Sequence, residues 1–142
     1  MTGFESVFFD TAPFIYLIEN HPVYYSPVAK YLTVLDVNEN LLLTSSLTAA
    51  EFGCKPAKNK ETLPLENFKN LIKEFNFKIL DVNMGIVEFS WKLIEQYPFL
   101  KMIDSLQLSM AMKLSSTKFL TNDFELKKVK EIEVILVNDI IK

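Results

Sequence analysis

Arginine is missing from this 142-residue chain, and all 15 basic side chains are lysines. That excludes the planar guanidinium fork that grips phosphate or guanine through two parallel hydrogen bonds. The single cysteine, Cys54, excludes an intramolecular disulfide and fits a reducing compartment. Only 3 glycines are present, and none belongs to a Gly-rich phosphate loop. Zinc-type CxxC and HExxH patterns are missing, as is the GxSxG of a serine hydrolase. No apolar run approaches the roughly 20 residues that a membrane helix needs. The N-terminus lacks a basic stretch followed by an apolar one, so no signal peptide is expected and a soluble cytoplasmic protein is the expectation. With a net charge of −3 and a pI near 5.2, there is no broad basic field. Any nucleic-acid binding must therefore be local, weak or assisted.

The chain does have enough apolar material for a core. Hydrophobic residues make up 49% and charged residues 23%, and a domain of about 150 residues buries roughly 70% of its unfolded surface. Residues 1–142 are read as one domain.

Apolar, β-favouring runs predict strands at residues 6–10, 41–44, 77–82, 118–121 and 134–137. Helical spacing predicts helices at 11–19, 26–35, 46–54, 65–75, 84–97 and 102–115, with Asn83 as the cap of the fifth. Residues 55–62, which are polar and include Pro56, read as a loop. The helix at 102–115 is apolar on almost all sides and is expected to be buried. Alternating strands and helices predict a three-layer α/β/α fold on a parallel sheet of four to five strands.

The chemistry gathers where such a sheet binds ligands, beyond the carboxyl ends of its strands. Asp10 ends the first strand and Asp123 follows the fourth. Glu51 lies in the helix after the second strand, and Asp104 opens the helix that feeds the fourth. Each acid alone has a plain local use. Asp10 and Asp123 can cap the following helix, Thr48-x-x-Glu51 matches a capping box, and Asp104 suits a helix N-terminus. Together they would repel and raise one another's pKa values, and a hard cation bound through oxygen would relieve that repulsion. His21, beside Pro22, reads as a surface or turn residue. Cys54 reads as buried packing, and Phe and Met residues such as Met110 and Met112 read as core. Lys55, Lys101 and Lys118 are candidate phosphate contacts, although a solvated role suits each. Phe14, Ile15, Tyr16, Ile18, Tyr24 and Tyr25 crowd one short region, which suggests a surface paired with another chain.

Four segments in order resemble the PIN domain family, and in particular the single-domain VapC-type toxins. They are Phe9-Asp10-Thr11, Ser45-Ser46-Leu47-Thr48-Ala49-Ala50-Glu51, Asp104-Ser105-Leu106-Gln107-Leu108-Ser109-Met110-Ala111 and Phe119-Leu120-Thr121-Asn122-Asp123. The resemblance spans nearly the whole chain. It implies an acidic site of Asp10, Glu51, Asp104 and Asp123 holding Mg²⁺ or Mn²⁺, with Thr11, Thr121 and Asn122 in support. It also implies ribonuclease activity, a homodimer and a small antitoxin partner. This chain departs from the usual pattern at Ser105, where Ala or Cys is common, at Leu126, where an aromatic is common, and in having no arginine. Two other readings compete: a PIN fold kept only as a protein-interaction module, and a phosphoacceptor receiver domain. A receiver needs an acidic pair after its first strand, whereas Asp10 is followed by Thr11 and Ala12.

Overall fold

The computed structural model describes residues 5–114 and 118–140. Five strands form one sheet: β1 (Ser6–Phe9), β2 (Leu41–Ser45), β3 (Lys78–Leu80), β4 (Lys118–Thr121) and β5 (Glu133–Leu136). Their order is β3-β2-β1-β4-β5, and every neighbouring pair is parallel. The chain winds outward from β1 to β3, then returns to the other side of β1 for β4 and β5. The winding direction therefore reverses between β1 and β4, and a crevice opens there at the carboxyl edge.

Six α-helices cover the sheet: α1 (Thr11–Ile18), α2 (Tyr25–Val37), α3 (Ser46–Lys58), α4 (Leu63–Glu74), α5 (Met84–Gln96) and α6 (Met102–Lys113). The period-two alternation of strand side chains decides which helices meet which face. Val7, Phe9 and Leu42 join Phe14, Val28, Leu32, Phe52 and Phe68 in a core beneath α1 to α4. Phe8, Leu43 and Phe119 point the other way, into a core with Ile86 and Leu93 of α5 and Leu108 and Met110 of α6. The Phe8 and Phe119 rings stack across β1 and β4 with centroids 5.2 Å apart. Each such buried side chain stabilises the fold by about 1.5–3 kcal/mol. The three-layer fold expected from the sequence is present.

Helices α1 to α4 all stop in the same way. Asn20, Glu39, Lys60 and Asn76 each have φ between 52° and 58°. The next residue of each, at His21, Asn40, Glu61 and Phe77, donates its N–H back to the carbonyl of Tyr16, Leu35, Pro56 and Ile72. This is the Schellman closure, which satisfies carbonyls that a helix end leaves open. None of the four uses glycine at the left-handed position.

Most boundaries differ from the sequence reading by one to four residues, and three of the differences have a clear local cause. Helix α3 runs through Pro56 to Lys58, where a loop was expected from Lys55. Pro56 lies in the last turn, so the ring removes one N–H while the closing bonds from Asn59, Lys60 and Glu61 hold the turn. Strand β3 begins only at Lys78, because the Phe77 N–H is used to close α4. Strand β5 spans Glu133–Leu136, and Val137 already opens a 3₁₀ turn. The predicted end of α6 at Ser115 lies outside the described residues. Among the described residues, no helix is long and apolar enough to cross a membrane.

Candidate active site

Asp10 follows β1 directly, and its N–H continues the sheet ladder by donating to the Leu120 carbonyl at 2.9 Å. That bond fixes the residue between β1 and β4. Its carboxylate then accepts three hydrogen bonds. Oδ1 takes the Thr11 N–H at 2.8 Å and the Gln107 amide Nε2 at 2.9 Å, and Oδ2 takes the Thr121 hydroxyl at 2.8 Å. Asp10 is thus the N-cap of α1, as the plain reading allowed, and also the centre of a wider network.

The network reaches two of the other predicted acids. Thr11, itself buried, donates its hydroxyl to Glu51 Oε1 at 2.5 Å. The Thr121 hydroxyl accepts the Asp123 N–H at 3.1 Å, and the Asp123 carboxylate caps the 3₁₀ turn at Phe124–Lys128 through the Glu125 N–H. The capping box at Thr48 and Glu51 is not formed. Ser45 is the N-cap of α3 and accepts the Thr48 N–H at 3.1 Å, which leaves Glu51 turned toward α1.

Asp104 lies in the first turn of α6 and is half-buried. Its carboxyl is pushed up to about 6, first by burial and then by the negative charges of Asp10, Asp123 and Glu51, with Lys101 acting in the opposite sense. The Asp10 carboxyl is also raised, mainly by burial, against the lowering effect of its hydrogen bonds. The four predicted acids therefore share one electrostatic neighbourhood at the β1–β4 crevice. Glu51 and Asp123 are exposed, so the neighbourhood opens to solvent.

The donor set suits a hard cation: its groups are oxygen donors, carry excess negative charge and include two carboxyls whose ionisation is disfavoured. The described hydrogen bonds occupy both lone pairs of Asp10 Oδ1 and one of Oδ2, leaving one on Oδ2. Among the described residues, no three His, Cys, Asp or Glu side chains are already arranged to hold an ion.

Other predicted residues fall elsewhere. The Asn122 amide donates to the Tyr16 hydroxyl at 2.8 Å, and its Oδ1 is buried with no partner among the described residues. Lys118 sits at the amino end of β4 and pairs with Glu5 at 3.0 Å, at the edge of the sheet away from the acids. Cys54 is exposed on α3, where core packing was expected. His21 is a turn residue, as read, its Nδ1 accepting the N–H groups of Val23 and Tyr24. Gln107 was not singled out by sequence reasoning, yet it is fully buried and touches Asp10. The available signal was its place three residues after Asp104, on the same helical face.

A model of the PIN domain matches residues 7–132. The chain belongs to the PIN domain family. Among solved structures, this PIN domain is similar to VapBC2 from Rickettsia felis bound to a promoter DNA fragment, with a TM-score of 0.77, 20% identity and coverage of 92% of this chain and 98% of that one. It is also similar to a toxin–antitoxin complex from Klebsiella pneumoniae, with a TM-score of 0.71, 18% identity and coverage of 92% and 97%. A third is VapC20 of Mycobacterium tuberculosis, a sarcin-ricin-loop-cleaving toxin, with a TM-score of 0.66, 11% identity and coverage of 89% and 98%. At these identities the likeness is one of fold. A comparison with curated proteins gives no match.

Proposed function

We propose that this PIN domain is a divalent-metal-dependent ribonuclease and the toxin of a toxin–antitoxin pair in the cytoplasm. One observation carries the reading. At the crevice between β1 and β4, Thr11 links Asp10 to Glu51, giving its N–H to the first and its hydroxyl to the second, the Thr121 hydroxyl links the Asp10 carboxylate to the Asp123 N–H, and Asp104 feels the charge of all three acids. Asp10, Asp104 and Asp123 would hold Mg²⁺ or Mn²⁺, directly or through water, and the ion when bound supplies a lowered water pKa and charge stabilisation at the phosphate. Glu51 is a further ligand or orients the water that attacks phosphorus as the bond to the leaving ribose oxygen breaks. Thr11 holds Glu51 for that role, and Thr121 ties Asp10 to Asp123. Lys101, at the start of α6, is the described lysine whose charge reaches Asp104.

The similar structures include complexes with antitoxins, which supports a small antitoxin as partner. Tyr25, 41% exposed, and the half-buried Ile18 line a cleft between α1, α2 and α4 that Asn67, Asn70 and Glu74 also wall, which suits an amphipathic partner segment. Phe14, by contrast, is core and takes no part in such a surface. Pairing of two copies is proposed on the exposed Tyr25 and the half-buried Ile15, Tyr16, Ile18 and Tyr24 beside it.

The test is cleavage of labelled RNA by the purified protein with Mn²⁺, with EDTA, and with the Asp10→Asn variant. Cutting should need the metal and fall at least about 100-fold in the variant. Cutting that survives both EDTA and Asp10→Asn would overturn the reading. Mn²⁺-loaded parent protein that leaves a broad set of RNAs intact would favour the interaction-module reading.

A further inference from the structure

Gln107 stands in the middle of α6 with no solvent exposure, where a long polar side chain is costly unless every group is paired. Its surroundings pair it. The amide oxygen accepts the hydroxyl of Ser45, at the end of β2, and that of Thr48, in α3, the latter at 3.2 Å. The amide nitrogen donates to Asp10 Oδ1 at 2.9 Å. The orientation of an amide is set by its partners, and here they agree. Asp10 Oδ1 already accepts the Thr11 N–H and so meets the amide as an acceptor, and the nitrogen must face it. Ser45 Oγ already accepts the Thr48 N–H, so its proton is free to go to the Gln107 oxygen. One side chain on the helix that carries Asp104 thus bridges the ends of β1 and β2 and the first turn of α3, the helix that carries Glu51.

We propose that Gln107 is a positioning residue of the site, holding the Asp10 carboxylate in register with Asp104 and Glu51 so that the acids can converge on one cation. This rests on the metal-dependent reading above. The residue acts through Asp10: it is enclosed and touches no solvent, so RNA is out of its reach. Outer partners that orient a ligand typically change metal affinity or activity by 10- to 100-fold when lost.

Gln107→Met keeps the volume and removes the amide. Mn²⁺ binding by titration calorimetry should weaken by about 10-fold or more. RNA cleavage should fall at low Mn²⁺ and recover substantially as Mn²⁺ is raised, with KM for RNA unchanged. A merely structural lesion would not be rescued by metal. Thr48→Val, which removes one donor to the amide oxygen, should weaken Mn²⁺ binding in the same direction. Combined with Gln107→Met it should add nothing further, because both act through the same contact. A folded Gln107→Met protein that binds Mn²⁺ with parental affinity overturns the inference while leaving the metal reading intact. Parent protein that takes up neither Mn²⁺ nor Mg²⁺ overturns both. Should Gln107→Met fail to fold, the Ser45→Ala/Thr48→Val pair strips the amide oxygen of both donors. Parental Mn²⁺ affinity in that pair also overturns the inference.

Discussion

Asp104 is where local and collective demands on a single residue conflict. At the start of α6 an acid is favoured by the helix dipole, but burial and three neighbouring acids oppose its ionisation and raise its carboxyl to about 6. A folded-state value above the unfolded value of about 3.9 means that the folded protein holds this proton more tightly. The metal-free protein should then lose stability as pH rises through the window from about 4 to about 6, and stay at the lower level above it. Asp104→Asn removes this titration. At pH 7.5 the metal-free variant is expected to melt at the parent temperature or a few degrees above it. The gap should shrink as pH falls through that window and close below about pH 3, where the parent residue is protonated in both states. Because the residue is half-exposed, solvent screening limits the gain to the order of 1 kcal/mol. With Mn²⁺, RNA cleavage should drop by orders of magnitude. Parental cleavage together with a lower melting temperature would mean that Asp104 only caps its helix. The pH series of melting temperatures and the cleavage rate decide the question together.

At the scale of elements, the ends of the helices store strain that the chain tolerates. Glu39 and Lys60 take the left-handed conformation at φ of 58° and 57°, with side chains in solvent. For an L-residue that conformation costs about 1–2 kcal/mol, and glycine avoids it at some entropic expense in the unfolded chain. Glu39→Gly and Lys60→Gly are each expected to stabilise by about 0.5–1 kcal/mol, or roughly 2–4 °C in a domain of this size. A fall in melting temperature in both would show that the Schellman closures are not formed in solution. Helix α6 shows the opposite economy. Sequence periodicity reads it as apolar, but Ser105 and Ser109 are buried and turn their hydroxyls back onto the carbonyls of Met102 and Ser105. With Gln107 committed to its three partners, the helix can be enclosed without leaving these groups unpaired.

The molecule as a whole is acidic and lacks arginine, so RNA would meet a site of the same sign as itself. Affinity would then come from a bound cation and a few lysines, not from a basic surface. The salt dependence of RNA binding should be shallow. For a single strand, one to three neutralised phosphates give a slope of log K against log [salt] of about −1 to −2. Anisotropy measurements with the parent protein, Mn²⁺ and an RNA analogue that cannot be cut test this. A slope steeper than about −5 would reveal a basic track that the fold does not show. The sheet order explains how acids so far apart in the chain come together. The two halves of the winding meet at β1 and β4, and the segments bearing Asp10, Glu51, Asp104 and Asp123 all reach that one edge.

Element types, their order and the position of each acid at a strand or helix end were legible in the sequence, because periodicity, caps and strand ends are local properties. Asp10 after Phe9 and Asp123 after Thr121 are places that the chain dictates within a few residues. What only the tertiary structure decided depends on groups distant in sequence. Glu51 had a local partner available in Thr48 and instead bonds Thr11, because Ser45 takes the capping role and α1 packs against α3. Lys118 was a candidate for the site until the parallel direction of β4 put it at the opposite edge, against Glu5. Gln107 carries no motif. Its role exists only because α6 is packed against the ends of β1 and β2, which brings a carboxylate to one end of its amide and two hydroxyls to the other. The direction of a side chain across a packed interface is set by what lies opposite, and the linear order of residues does not contain that information.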